Sequence, residues 1–334
     1  DPVYAVKTSL LANFSKADTD FLATTVLEKP DDDNMPTINT VTIERKDLDT
    51  PIVLEHRDTS NDGESGNTQS THKMTSPISA YLSVERSKDV IEGLFGLSAS
   101  KILAVRPSEQ DLEDYGISDP FATLTLECED GTTYTLKIGD VVTEADDIST
   151  DDSTATTSAA TTYYPVQLDD GNVIYAIAAD KCPWATITPT GLASKLIFTT
   201  YVWDISELDV TVDGKKTTFE NSGTDKDTAS ITRDGKSEID TERYRQFYAF
   251  LLQTAAEEVV LGDAPTGTPD AEIHYKTSDG SEDRTVAFYQ IDDFNCYITV
   301  NGELSFQCRA SYLDALRHNL DIFDTDEDFQ TSWQ

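Results

Sequence analysis

The chain has 334 residues and is strongly acidic, with 62 Asp and Glu against 25 Lys and Arg and a formal net charge of −37. Binding to nucleic acid depends on cations that neutralise phosphates, so this charge excludes nucleic acid as an expected partner, and it also disfavours lying flat on an anionic membrane. Hydrophobic residues make up 38% of the chain, including 14 Tyr, 13 Phe and 3 Trp, which is enough to fill one or two globular cores.

The N-terminal third begins with a lead-in, residues 1–36, in which no single pattern dominates. Residues 41–44 and 51–55 then alternate between apolar and polar side chains, which predicts a β-hairpin. Residues 58–73 consist almost entirely of Ser, Thr, Asn, Asp, Gly and other polar types, and this composition predicts a mobile loop.

A helix is expected next, with Ser87 as its N-cap. Apolar residues follow at mostly helical spacing, despite two intervening glycines, at Val90, Ile91, Leu94, Leu97 and Ile102. Residues 106–119 are predicted to form a connection that contains a short helical turn.

Four strands are predicted after this connection, within residues 122–131, 134–138, 163–168 and 173–177, and the first of these stretches ends in an Asp-Gly turn. Residues 141–162, rich in Thr, Ser, Ala and Asp, interrupt them. The interval from Gly131 to Gly171 is 40 positions, whereas the matching interval from Gly280 to Gly302 is 22, so the difference of 18 is close to the length of the interruption. The pattern predicts a surface insertion, which costs little free energy because the entropy of loop closure grows slowly with length.

The second half repeats this order after a seam at residues 189–204. A strand pair at residues 208–212 and 217–220 is followed by a helix that Thr241 caps, and then by four strands and a closing helix that starts near Ser311. The four strands are predicted within residues 271–280, 284–288, 295–300 and 304–308, and the first of these stretches again ends in an Asp-Gly turn. The acidic tail, residues 324–334, is expected to fray.

The predicted fold class is therefore α+β, with two pseudo-repeats that each contain a mainly antiparallel sheet and helices packed on one of its faces. The predicted organisation is a lead-in at 1–36, a first repeat at 37–188, a seam at 189–204, a second repeat at 205–323 and an acidic tail at 324–334.

Four cysteines occur, at positions 128, 182, 296 and 308, and no two have the spacing of a zinc or redox motif. Cys296 and Cys308 lie in neighbouring predicted strands. They face each other if the hairpin closes with three residues, Asn301 to Glu303, whereas Cys296 faces Gln307 if it closes with two. Free thiols at small strand positions and a bridged pair are both open.

No set of residues with catalytic spacing is present in the sequence, so no catalytic residue, cofactor or metal ligand is assigned. The four histidines, His56, His72, His274 and His318, have no His or Cys neighbour at ligand spacing. Asp-rich segments, such as 31–34 and 324–328, lack the spacing of a helix-loop-helix calcium site and are interpreted as solvated loops. Carboxylates are abundant, so a paired-acid hydrolase stays open as an alternative.

Four aromatic residues near the seam are the candidates for binding a partner: Trp184, Trp203, Tyr163 and Tyr164. Tyr and Trp are enriched at binding hot spots, and pockets often form where two domains meet. The alternative is that these side chains pack the interface between the two halves.

Residues 115–140 run from a Tyr-Gly-Ile-Ser-Asp-Pro segment through an alternating strand, an Asp-Gly turn and a second strand to Gly-Asp. This order resembles a bacterial cell-envelope family of unknown function, with Ile117 where that family has Leu. Tyr163–Val166 and Val173–Tyr175 also resemble it, and the resemblance covers roughly residues 37–323. It implies a domain outside the cytoplasm, anchored by an N-terminal membrane segment or lipid, and it carries no catalytic residues. Some members are similar to auxiliary components of gliding-motility ABC transporters.

The leading hypothesis is therefore a non-enzymatic, membrane-anchored, extracytoplasmic module of the bacterial envelope that binds a protein or glycan or assists a transporter. The acidic charge favours a basic partner. A carboxylate-dependent hydrolase and a purely structural spacer are the alternatives. The sequence has no run of about 18 apolar residues that could span a bilayer. It begins at Asp1 without an initiator Met, so the anchor is expected in a segment that precedes it.

Overall fold

The structure, a computed structural model, describes residues 17–57, 70–144, 160–254 and 256–333. The chain divides into two compact units. The first comprises Asp1–His56 and Glu85–Thr188, and the second comprises Arg57–Val84 and Pro189–Gln334. The second unit thus takes one segment from the N-terminal half of the chain, which no sequence pattern indicates.

The described residues form strands and helices with the following bounds. The strands are β1 (Ile38–Arg45), β2 (Ile52–His56), β3 (His72–Ser76), β4 (Ala80–Tyr81), β5 (Lys101–Val105), β6 (Ala122–Cys128), β7 (Thr133–Ile138), β8 (Val142–Glu144), β9 (Thr161–Leu168), β10 (Val173–Ala178), β11 (Ile205–Val212), β12 (Lys215–Asn221), β13 (Ile231–Arg233), β14 (Lys236–Ile239), β15 (Glu258–Val259), β16 (Ala271–Thr277), β17 (Asp283–Gln290), β18 (Asn295–Val300) and β19 (Glu303–Arg309). The α-helices are α1 (Val84–Glu92), α2 (Glu109–Asp114), α3 (Pro189–Leu192), α4 (Thr241–Leu252) and α5 (Ser311–Asp321).

The sheet of the first unit is antiparallel and follows the order β2-β1-β6-β7-β9-β10-β5, with β8 paired to β9. The sheet of the second unit follows the order β14-β13-β12-β11-β16-β17-β18-β19-β15 and is also antiparallel. From β2 to β5 and from β12 to β15, the two orders correspond strand by strand. The predicted α+β fold with two pseudo-repeats is confirmed.

Helices α4 and α5 pack on one face of the second sheet. Phe219 of β12 contacts Tyr244 and Phe247 of α4, and Phe288 of β17 contacts Tyr312 of α5. Phe219 and Phe288 lie on the same face because alternate residues of an antiparallel strand share a side, and the strand register connects them through Leu208 and Tyr275. No helix in the described parts of the chain is long and apolar enough to cross a membrane.

The turn between β18 and β19 decides how the two cysteines face each other. Asn301 and Gly302 have φ values of 50° and 85°, which is the backbone of a two-residue hairpin turn that favours Asn-Gly. The register then shifts by one residue between Thr299 and Ile298, and this bulge places Cys296 opposite Cys308. A two-residue turn thus brings the cysteines together, contrary to the predicted rule, and both thiols are free and buried.

Helix α1 differs from the prediction at both ends. It begins at Val84, so Ser87 is a buried residue inside the helix and not its N-cap. It ends at Glu92, and Ile102 lies in strand β5. The glycines that follow the helix allow the chain to turn away, since Gly96 has a φ of 86°.

Helix α4 does begin at Thr241, but its cap is the preceding residue. The carboxylate of Asp240 accepts hydrogen bonds from the backbone N–H groups of Glu242 and Arg243 at 2.7 and 3.4 Å.

Both predicted loops are shorter than the sequence indicates. Of residues 58–73, His72 and Lys73 belong to strand β3, and 58–69 lie outside the described residues. Of residues 141–162, the first part forms β8 and the last two residues begin β9, while 145–159 lie outside the described residues. Pairing to neighbouring strands satisfies the backbone of these polar flanks, and composition alone does not reveal such pairing.

The acidic tail does not fray up to residue 333. The rings of Phe329 and Trp333 contact Phe247 and Tyr312 at 5.7 and 5.2 Å between centroids. The amide of Asn319 also exchanges two hydrogen bonds with the backbone of Gln330, at 2.9 and 2.8 Å. Aromatic burial thus outweighs the charge of the intervening aspartates.

Candidate functional site

The second unit contains an apolar cavity with a volume of about 400 Å³. It lies between the chain segment 196–203 and one side of helix α4. Its lining is formed by Leu196, Phe198, Thr199, Thr200, Tyr201, Val202, Trp203, Arg245, Tyr248, Ala249 and Leu252. The segment belongs to the predicted seam, so the seam forms a cavity wall within the second unit.

Hydrogen bonds fix the segment against the helix. The phenol of Tyr248, buried on α4, donates to the carbonyl oxygen of Thr200 at 2.7 Å. Apolar surface is left uncovered beside it, because Leu196 is 49% exposed and Tyr201 is 42% exposed. A rigid wall next to exposed apolar side chains is the usual arrangement of a site that receives an apolar group.

A second, polar cavity of about 220 Å³ lies elsewhere in the same unit. The hairpin β3–β4 supplies part of its lining, and the turn before β17 and the turn after β18 supply the rest. The lining residues are Lys73, Ser79, Ala80, Tyr81, Ser281, Glu282, Asp283, Arg284, Val300 and Asn301.

The carboxylate of Glu282 is the centre of a hydrogen-bond network beside this polar cavity. It accepts hydrogen bonds from the hydroxyl groups of Tyr81, Thr200 and Tyr275, the last at 3.0 Å. Burial, together with the negative charge of Glu282, raises the pKa of Tyr81 to about 12. The phenol of Tyr81 therefore stays a neutral donor to Glu282 at physiological pH.

The four predicted binding residues are all buried. Trp203, which is 3% exposed, lines the apolar cavity. Trp184 lies in the first unit, is fully buried, and donates its indole N–H to the carbonyl oxygen of Val90 at 2.8 Å.

Tyr163 and Tyr164 also belong to the first unit and are 3% and 7% exposed. The hydroxyl of Tyr163 donates to Glu144 at 2.9 Å, and the ammonium of Lys101 lies 4.8 Å from its ring centroid. Burial and then Glu144 raise the pKa of Tyr163 to about 12. These contacts give both tyrosines and Trp184 roles in packing the first unit.

A third constellation lies on the polar face of the second sheet, where Asp209 of β11 is in register with His274 of β16. Ligand atoms of Glu207, Asp209 and His274 all lie within 4.8 Å of one another. The ammonium of Lys216 lies 2.7 Å from Asp209, and the second nitrogen of His274 lies 2.7 Å from Asp283. Because a cation already neutralises Asp209, the geometry favours an ion-pair network over a metal centre.

Electrostatics at Asp209 support the same interpretation. Burial raises its pKa, but hydrogen bonds from Lys216 and Thr218, the positive charge of Lys216 and His274 outweigh burial, and the net pKa is lowered. Asp209 is thus held as a carboxylate.

Sequence reasoning missed Glu282, Arg284 and the Asp209–His274 pair. Glu282 and Tyr81 are 201 positions apart, and only the folded chain brings them together. The pairing of Asp209 with His274 depends on strand register, and alternation does not determine register between distant strands.

Comparison with known proteins adds no relative. No family model, no curated protein and no solved structure matches this chain.

Proposed function

We propose that this protein is a non-enzymatic binding module that captures a protein partner by receiving an apolar side chain in the cavity beside Trp203. The observation that carries the proposal is the apolar cavity of about 400 Å³, next to the exposed side chains of Leu196 and Tyr201. Such cavities bind by removing apolar surface from water, at about 25 cal/mol per Å².

A protein partner fits this cavity better than a glycan does. Glycans need many polar groups to replace the hydrogen bonds of their hydroxyls with water, whereas most of the side chains that line the cavity are aliphatic or aromatic. Arg245, the charged residue of the lining, is already paired with Glu242 at 2.5 Å.

The charge of the chain favours a basic partner. A net charge of −37 accelerates encounter with cationic proteins, and salt screens this effect. The proposed partner therefore combines Lys or Arg residues with an exposed apolar anchor.

The behaviour of the carboxyl groups supports a non-enzymatic role. A glycosidase or related hydrolase needs one carboxylic acid with a raised pKa. The shifted carboxyl pKa values include those of Asp209 and Asp213, and both are lowered. Glu282, which lines the polar cavity, accepts hydrogen bonds from three hydroxyl groups, so its oxygens are already occupied by contacts within the protein.

The location follows from the resemblance to the envelope family. We propose that the module works outside the cytoplasm and is attached to the cell membrane. Protease treatment of intact and lysed cells that make the full protein tests this location. We expect the protease to digest the protein in intact cells while a known cytoplasmic protein stays protected. Equal protection of both proteins in intact cells would contradict the proposed location.

The binding proposal is tested by selecting peptides from a displayed library at low and high salt. We expect the enriched peptides to combine an aromatic or aliphatic anchor with Lys or Arg, and their retention to fall with salt. Synthetic versions are then titrated against the protein by calorimetry. The substitution Ala249→Trp fills the cavity from helix α4 and is expected to weaken binding about tenfold or more.

The matched control is Phe294→Ser. Phe294 is the most exposed large apolar residue of the described chain, at 77%, and it does not line the cavity. If Phe294→Ser weakens binding as much as Ala249→Trp does, non-specific hydrophobic association explains the result and the proposal is wrong. Turnover of a peptide or glycan library that disappears with a carboxylate substitution would instead support the hydrolase.

A further inference from the structure

The polar cavity contains two cations, Arg284 and Lys73, whose hydrogen-bonding capacity is only partly used by the residues that the structure describes. The guanidinium of Arg284 lies 5.1 Å from the ring centroid of Tyr81, and its side chain is only 11% exposed. Its Nε–H is buried without a hydrogen-bond partner in the described parts of the chain. A buried donor without an acceptor costs about 1–3 kcal/mol, so a ligand that supplies an acceptor is favoured.

The nearby carboxylate does not satisfy Arg284. The closest approach of Arg284 to Glu282 is 3.9 Å, from Nη1 to Oε1, which is beyond hydrogen-bond distance. Glu282 instead uses its oxygens to accept from Tyr81, Thr200 and Tyr275. The three hydroxyls thus hold the carboxylate, and the guanidinium is left with an attractive but incomplete contact.

Lys73 adds a second positive charge to the same cavity. It is exposed on strand β3 and forms no ion pair with any residue that the structure describes. By contrast, the other acid of the lining, Asp283, is paired with His274 at 2.7 Å. Both acids of the cavity are therefore occupied, and both cations are available.

From this asymmetry we infer that the polar cavity binds a small carboxylate. The two oxygens of a carboxylate accept from the Nε–H and an Nη–H of Arg284, which is the two-point contact that a guanidinium favours. Lys73 supplies a further positive charge. The two acids of the lining would repel a doubly charged phosphate more strongly than a singly charged carboxylate, because the repulsion grows with ligand charge. The volume of about 220 Å³ limits the ligand to a small acid or to the C-terminal end of a peptide.

Calorimetric titrations of the whole protein test this inference at constant ionic strength, with chloride as the reference anion. The probes are propionate, inorganic phosphate, triglycine with a free C-terminus and triglycine with an amidated C-terminus. We expect propionate or free triglycine to bind and phosphate to bind more weakly. Binding of the free but not the amidated tripeptide, without binding of propionate, identifies a peptide terminus as the source. The inference is wrong if neither carboxylate binds above the chloride reference.

Three substitutions place the binding in this cavity. Arg284→Lys keeps the charge but removes the two-point contact and is expected to weaken binding about tenfold or more, and Lys73→Gln about threefold. Lys276→Gln, on the polar face of the sheet and paired with Glu207 at 3.7 Å, is the matched control and should change binding less than about twofold. Circular dichroism checks that each variant folds.

If Arg284→Lys does not fold, the binding of Lys73→Gln and Tyr81→Phe is measured in its place. Tyr81→Phe keeps the aromatic ring that contacts the guanidinium of Arg284. Equal binding by wild type, Lys73→Gln and Lys276→Gln would overturn the assignment to this cavity.

Discussion

The two units share one strand order but fill their cores with different side chains. In the first unit the buried residues are mostly aliphatic, and its buried aromatic residues are Phe95, Tyr163, Tyr164 and Trp184. In the second unit the described core contains Phe198, Trp203, Phe219, Tyr244, Phe247, Tyr248, Phe250, Tyr275, Phe288, Phe306, Tyr312 and Phe323. The strand order therefore does not depend on the identity of the core side chains. It depends on alternation and on turn residues, which both halves share.

The difference also bears on where a ligand can bind. In the first unit the indole of Trp184 is fully enclosed and bonded to helix α1. In the second unit Trp203 borders the cavity beside helix α4, and no hydrogen bond of its indole N–H is present among the described contacts. Trp184 thus serves packing alone, whereas the buried side chain of Trp203 also forms part of the cavity wall.

The largest effect on stability is expected from Phe247→Ala in the second unit. Its ring contacts Phe219, Phe250, Phe323 and Phe329, so the substitution leaves a cavity that costs about 3–5 kcal/mol. Denaturant unfolding measures the change. Ile91→Ala, in the aliphatic core of the first unit, is the counterpart and should cost about 2–3 kcal/mol. A larger cost for Ile91→Ala would contradict the comparison of the cores.

A smaller effect separates the two tryptophans. Trp184→Phe removes the donor to the Val90 carbonyl and part of a filled core, and it should destabilise the protein by about 2–3 kcal/mol. Trp203→Phe removes no described hydrogen bond and should cost about 1 kcal/mol. Thermal unfolding of both variants checks this order. Equal costs would mean that Trp203 contributes as much to packing as Trp184 does.

The next effect concerns the tail of the second unit. Asn319→Ala removes both hydrogen bonds to Gln330 and should reduce the free energy of unfolding by about 1–2 kcal/mol. Hydrogen exchange should rise in residues 325–333 and stay unchanged in the first unit. His318→Ala, a neighbouring change on the same helix, controls for altered helix propensity. If exchange in the tail does not change, aromatic contacts alone hold it.

The smallest effect is a dependence on pH at Asp209. The folded state lowers its pKa below the usual 3.8, so the ionised group stabilises the fold above that pH. This stabilisation is lost as the pH falls through the folded-state pKa. Asp209→Asn should therefore destabilise the protein by about 0.5 kcal/mol at neutral pH. Because asparagine does not titrate, the variant should lose less stability than the wild type as the pH falls through the folded-state pKa of Asp209. Asp263→Asn, at an exposed position without a described ion pair, is the control, and identical pH profiles would refute the assignment.

The sequence predicts the local features of the fold well, because they depend on local chemistry. Alternation and the Asp-Gly and Asn-Gly turns locate the central strands of both sheets. Strands β3, β4, β5, β8, β13, β14 and β15 were not predicted. None of them is longer than five residues, and so short a segment shows little alternation. The segment 57–84 joins the second unit through tertiary contacts, which have no local pattern.

The candidate sites were harder to predict than the fold. Trp203 was identified from its residue type and position, and it lines the apolar cavity. The polar cavity was not identified, because nothing in the sequence around Arg284 distinguishes it from other strand residues. Only the folded chain brings Tyr81 into contact with it. Residues that come from distant segments form no motif of fixed spacing, so the sequence alone does not reveal such a site.

The assignment of Arg57–Val84 to the second unit means that the polypeptide passes between the units three times, near residues 56, 84 and 188. During synthesis, the hairpin β3–β4 leaves the ribosome long before Glu282, because Tyr81 and Glu282 are 201 positions apart. The hydrogen bond between them therefore forms only after most of the chain has been made. A gene cut at residue 189 would produce a second half that lacks this strand pair and with it a part of the second unit.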